Sequence, residues 1–224
     1  MSLKADLYLS LRTEPDPVSL RRLYALPEQL LDAEVVEFAL QRRRAACRNE
    51  SLPAGLQTIR VLGWGLLVNG ALQLEVRAGS AERDALTDLF DSVPENSRLQ
   101  LWQREPVGLA TINARAMSYD LTGGRHWLAA LNRTNVLAER VGMPEPLPLL
   151  AQAAVFGIQL PPGRNEAMQI RQELAMVALL HARLLRLEGD SNKAQALLLG
   201  LSRASERDPA LRGFSVGLKE QLPA

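Results

Sequence analysis

Between Thr58 and Ala78 the chain reads TIRVLGWGLLV-NG-ALQLEVRA, and no other stretch narrows its fold as much. A largely apolar run meets Asn69-Gly70 and is followed by a segment that alternates apolar and polar residues. Asn-Gly accepts positive φ at both central positions, which a tight turn between two right-twisted strands requires. The stretch is therefore a β-hairpin.

The elements around the hairpin decide the fold class. Residues 6–12 alternate as an opening strand, DLYLSLR, which Pro15 and Pro17 end. Residues 26–46 read as a helix with Asp32 as N-cap and Arg42, Arg43 and Arg44 in the last turn, where cations suit the helix dipole. Ser80 caps a second helix, with Ala85, Leu86, Leu89 and Phe90 on one side. RLQLWQ (98–103) alternates as another strand, and a helix restarts with Pro106 in its first turn. From about residue 127 the pattern is mostly helical, with a break at Gly189-Asp190. This order predicts an α/β layer: a mixed sheet in the first half, flanked and completed by helices.

Composition narrows the function classes. With 26 basic and 25 acidic residues the net charge is +1, so no global field draws the chain to nucleic acid or an anionic membrane. Cys47 is the one cysteine, which excludes an internal disulfide and fits a reducing cytoplasm. No apolar stretch approaches the roughly 20 residues that span a bilayer. The N-terminus, with Arg12 interrupting its short apolar run, does not read as a signal peptide. A soluble cytoplasmic protein with no membrane role is the expectation.

The opening strand carries the functional question. It runs Ser10-Leu11-Arg12-Thr13-Glu14-Pro15-Asp16. Together with the element order it resembles the ribonuclease H-like DEDD 3′–5′ exonucleases, in the branch related to the proofreading exonuclease of family B DNA polymerases. Members of that branch open with Asp-Ile-Glu-Thr-x-Pro-Asp, so Thr, Pro and Asp are kept while both carboxylates are replaced. Leu52-Pro53 corresponds to the family's Leu-Pro before the hairpin. The segment Trp102 to Gly108 resembles a strand ending in Asn-Gly-x-x-Phe-Asp, and Leu147 to Ile158 resembles Leu-x-x-Leu-Ala-x-x-x-Gly-Ile. Arg171-Gln172-Glu173-Leu174-Ala175 resembles the helical Tyr-Cys-x-x-Asp. The resemblance covers about residues 6–188 and implies a ribonuclease H-like domain, with residues 190–224 as a helical C-terminal extension.

By the same resemblance the four metal-binding carboxylates fall at Ser10, Arg12, Gly108 and Ala175. Two divalent ions a few ångströms apart need carboxylate oxygens, which these side chains do not offer. Arg12 would add a fixed positive charge to the site. The resemblance thus implies a pseudo-exonuclease with no catalytic residues, no metal and no cofactor, acting as a binding module for single-stranded nucleic acid or for a protein. Arg12, Arg104, Arg115, Arg125 and Arg171 are its candidate nucleic-acid contacts, since guanidinium suits phosphate bidentately. Arg12 would otherwise pair internally with one of the nearby carboxylates Glu14, Asp16, Glu105 and Glu173, Glu105 being an example, or with backbone carbonyls. Glu173 is two residues from the lost helical ligand, about 200° around a helix, and is expected to point elsewhere.

Two further readings remain open. A protein-interaction or oligomerisation scaffold would use the leucine-rich C-terminal helices, which carry Leu179, Leu180, Leu184, Leu185, Leu187, Leu197, Leu198, Leu199 and Leu201, to form a homo-oligomer or hold a partner. A 3′–5′ exonuclease could work with a displaced carboxylate set drawn from Glu14, Asp16, Glu105 and Glu173. His126 and His181 have no partners at ligand spacing, and Gly123-Gly124 lacks the flanks of a phosphate loop.

Overall fold

A computed structural model of the chain describes residues 5–48, 51–104, 106–143, 145–158 and 163–211. Its centre is a mixed five-stranded sheet built around the opening strand β1 (Ala5–Pro15). On one side β1 pairs antiparallel with β2 (Gln57–Val68), which pairs antiparallel with β3 (Ala71–Ala78). On the other side it pairs parallel with β4 (Ser97–Leu101), which pairs parallel with the two-residue β5 (Asn135–Val136). The spatial order is β3-β2-β1-β4-β5. Asn69 (φ 53°) and Gly70 (φ 74°) close the β2–β3 hairpin, both in the left-handed region its turn demands.

Alternation along β1 sends Leu7, Leu9 and Leu11 to one face of the sheet. There α3 (Glu82–Ser92), α4 (Pro106–Ser118) and α5 (Arg125–Leu131) close a core with Trp64, Leu86, Ile112 and Trp127. The other face is covered by α8 (Glu166–Leu187) and α9 (Ser191–Arg207), reached through α6 (Leu137–Arg140) and α7 (Leu149–Val155). A small third cluster joins α1 (Pro17–Tyr24) to α2 (Asp32–Cys47) through Leu20, Val35, Ala39 and Leu52.

Several local expectations need correcting. The Pro-Asp-Pro turn after β1 starts a helix: Asp16 caps α1 by accepting from the Val18 and Ser19 amides (3.1 and 3.3 Å), and Pro17 takes its first position. Residues 26–31 are not helical, and α2 begins at Asp32 rather than being capped by it. Its first turn is held by Glu34, whose carboxylate accepts the Leu31 amide at 2.7 Å. Ala81, not Ser80, is the N-cap of α3, with no side-chain bond. The helical stretch expected beyond residue 127 is interrupted by β5.

Helix α9 buries Ala194, Leu197, Leu198 and Leu201 in the same core as Leu179, Leu180, Leu184 and Leu185 of α8. Most of the leucines that could have joined two copies of the chain are therefore used within it, while Leu187 and Leu199 stay exposed. Among the described residues no helix is long and apolar enough to cross a membrane.

Candidate functional site: a polar file and its cleft

The face of β1 beneath α8 is polar, although it is covered. Asp6, Tyr8, Ser10 and Arg12 share it, and each meets a partner. The Asp6 carboxylate accepts from Gln100 on β4 at 2.8 Å and pairs with Lys193 of α9 at 3.0 Å. Tyr8 and the Nδ1 of His181 share a hydrogen bond of 2.9 Å. Ser10 donates to Glu173 Oε2 at 2.5 Å. Arg12 holds Glu173 with both terminal nitrogens, Nη1 reaching Oε2 at 3.1 Å and Nη2 reaching Oε1, and it also donates to the Leu11 carbonyl at 3.2 Å. One step further, Arg60 of β2 bridges Glu14 (3.7 Å) and Glu166 at the start of α8.

Helix geometry explains why the partners meet. Glu173 and His181 lie eight residues apart on α8, a rise of about 12 Å, and Arg12 and Tyr8 lie about 13 Å apart along β1. The helix runs antiparallel to the strand, so its inward positions fall opposite the strand's polar ones. Close approach depends on Gly63, which pairs with Ser10 in the β1–β2 register. A Cβ there would sit 2.2 Å from Ile170 Cγ2 and 3.2 Å from Leu174 Cδ1, the residues that flank Glu173 on the helix. Between Arg12 and Thr13 the register slips, leaving Arg60 as an extra residue on β2 and bending the strand beside Arg12.

Burial sets the protonation states of this file. His181 is 1% exposed, and burial pushes its pKa down to about 4, with Lys193, Arg140 and Arg98 acting in the same direction against the Asp6 charge. Tyr8 is raised well above its ordinary value by burial and then by the Asp6 charge. At neutral pH the pair is an uncharged imidazole and an uncharged phenol.

A cleft of about 200 Å³ opens where β4 ends and its parallel pairing with β1 stops. Ser10, Arg12, Trp102, Leu149, Glu173 and Val177 are among its walls. Open α/β sheets bind ligands at such a place, beyond the carboxyl ends of neighbouring strands whose connections lead in opposite directions. Here the centre of the cleft holds the Arg12–Glu173 ion pair, with side chains 31% and 13% exposed.

Two expected site positions lie elsewhere. Ala175 is fully buried within the core around α8, and Glu173, expected to point away, is the helix residue that faces Ser10 and Arg12. Gly108 is buried on α4, and its neighbour Leu109 lines the cleft instead. Glu105, one of the carboxylates considered for Arg12, lies outside the described residues.

The candidate arginines do not converge. Arg104 is bound to Glu139 (2.6 and 3.1 Å), Arg171 to Asp208 (2.8 Å), and Arg125 is exposed in the first turn of α5. Arg115 belongs to a separate cluster, contacting Asp16 at 2.6 Å, Glu82 at 2.7 Å and Tyr119 at 2.8 Å. Glu82 also accepts the Ile59 amide at 2.6 Å, tying α3 to β2. Burial opposes the Asp16 charge, but hydrogen bonds from Ser19 and the Arg115 cation outweigh it and hold the carboxyl below its usual range. Trp64 and Trp127 are core residues, and Trp102, also mostly buried, shows only part of its ring to the cleft.

Among the described residues no group of three or more His, Cys, Asp or Glu side chains converges as a metal site would require. Comparison of the chain with protein-family models, with curated proteins and with solved structures finds no match in any of the three.

Proposed function

We propose that this chain is a non-catalytic relative of the DEDD 3′–5′ exonucleases, of ribonuclease H-like fold, that works as a protein-binding module. The fold part of this reading is supported by the strand order β3-β2-β1-β4-β5, with β1 antiparallel to β2 and parallel to β4. The observation that carries the loss of catalysis is the Arg12–Glu173 pair with Ser10 bound to the same carboxylate. A two-metal mechanism needs several carboxylates aimed at one point with their charge uncompensated. In this cleft the helix carboxylate is neutralised by a guanidinium that stays protonated at any ordinary pH. The glutamate is therefore a structural acceptor rather than a ligand.

A protein partner is favoured over nucleic acid by the fate of the arginines. A phosphate track needs several cations along one groove, whereas Arg12, Arg104, Arg115 and Arg171 are each committed to a carboxylate in a different part of the fold.

Two assays on the purified protein test this reading. End-labelled single- and double-stranded oligonucleotides should keep their length in Mg²⁺ or Mn²⁺. The same single strands should show no binding that strengthens as salt is lowered. Metal-dependent shortening that disappears in Glu173→Gln would overturn it and restore an exonuclease with a displaced carboxylate. Steeply salt-dependent binding would replace the protein partner with a nucleic acid.

A further inference from the structure

Next to the cleft, and sharing Trp102 with it, a second groove of about 290 Å³ runs along the C-terminal half of α8. Leu180, Arg183, Leu184 and Leu187 form one stripe of the helix at spacings of three and four residues, and Trp102 and Phe156 face it. We infer that this groove docks an amphipathic segment of a protein partner, one that sets a carboxylate beside its apolar side chains. The inference rests on the binding-module reading and gives that module its surface and the chemistry of its ligand.

Arg183 carries the argument for the carboxylate. Its Nη1 donates to the Phe156 carbonyl at 3.0 Å, and no described carboxylate lies within ion-pair distance of it. This sets it apart from Arg12, Arg60, Arg77, Arg104, Arg115 and Arg171, all of which hold acidic partners. Burial among the apolar walls pushes its pKa down, and the nearby Arg186 charge acts the same way. An incoming carboxylate relieves both penalties, and a charge-assisted bond in a partly desolvated groove is stronger than one in water.

The surroundings favour a protein segment over a small amphiphile. Leu187 at the groove's edge is 78% exposed, Val155 beside Phe156 is 67% exposed, and Leu150 on the same short helix is 54% exposed. Leu187 therefore carries apolar surface past the groove's edge, where a small ligand would leave it wet and a partner's helix would cover it. Leu180 and Leu184 form the groove's floor as part of the core, and Leu187 forms its exposed rim, so an amphipathic helix would lay its apolar face against that rim.

A library of random 12-residue peptides displayed on phage, selected on the purified full chain, tests this directly. Enriched peptides should combine two or three large apolar residues with an aspartate or glutamate. Synthetic copies should bind about tenfold more weakly to Arg183→Gln, which keeps a donor toward Phe156, and to Leu187→Ser, which removes the exposed apolar edge without adding a charge beside Arg183. Exchanging the peptide's acid for its amide should weaken the wild type and leave Arg183→Gln unaffected. The groove is overturned if no peptide is enriched, if the enriched peptides lack an acid, or if both variants bind as the wild type does. Peptides that bind but ignore both variants would leave a binding module standing with its surface elsewhere. Salt-dependent oligonucleotide binding in the parallel titration would instead remove the module's protein role.

Discussion

Gly63 shows how one absent side chain sets the site. Only a residue without Cβ lets α8 come close enough for Glu173 to reach Ser10 and Arg12. Gly63→Ala would push against Ile170, a β-branched side chain with little rotamer freedom, and should cost about 1–3 kcal/mol in urea denaturation. Gly55→Ala, where a Cβ would meet nothing within 4 Å, is the matched control and should change little. His181 makes a second test. Its pKa is about 4 in the folded protein against 6.5 when unfolded, so the unfolded chain binds more protons between those values. Its contribution is complete above pH 6.5 and is lost as pH falls toward 4, by at most about 3 kcal/mol. Denaturation midpoints at pH 7.5 and 4.5 should show a drop that is smaller in His181→Gln.

At the scale of elements, the hairpin, α8 and α9 were legible because each carries its own local signal. Asn69-Gly70 fixes the turn, while Asn165 and Asp190 cap their helices by accepting from the Met168 and Lys193 amides (2.8 and 3.2 Å). Helix α1 was hidden because Pro-Asp-Pro reads equally as a turn and as a cap followed by a proline in the first turn. Strand β5 has two residues and too little alternation to register. Its place is set by tertiary bonding, with the Ala138 amide reaching the Trp102 carbonyl at 3.0 Å. The α1 cap also depends on a distant helix, since Arg115 of α4 binds both Asp16 and Glu82. Arg115→Ala would strand two carboxylates that are each about a tenth exposed, and should cost about 3–5 kcal/mol by chemical denaturation. Asp16→Asn, which keeps a cap acceptor, should cost less than Asp16→Ala, by about 1 kcal/mol.

Across the whole molecule, α8 decides what the sheet's second face can be. The sequence marks that face of β1 as polar, and polar alternation normally means solvent. Instead Asp6, Tyr8, Ser10 and Arg12 are roofed by α8 and α9 and answered by Lys193, His181 and Glu173. The residue that answers Arg12 could not be read from motif spacing, because the spacing pointed to Ala175 and only the helix's rotation against the sheet brings Glu173 inward. If the cleft is held as structure by this pair, the two side chains must be energetically coupled. A double-mutant cycle over Arg12→Ala and Glu173→Ala, read by urea denaturation at pH 7, measures that coupling in isolation. Each single change should destabilise by about 2 kcal/mol, less than a fully buried pair because Arg12 is partly solvated. The double variant should recover about 1–2 kcal/mol of their sum. Additive effects, with a coupling within about 0.3 kcal/mol of zero, would mean that the pair does not hold the cleft and that Arg12 and Glu173 face it for some other purpose.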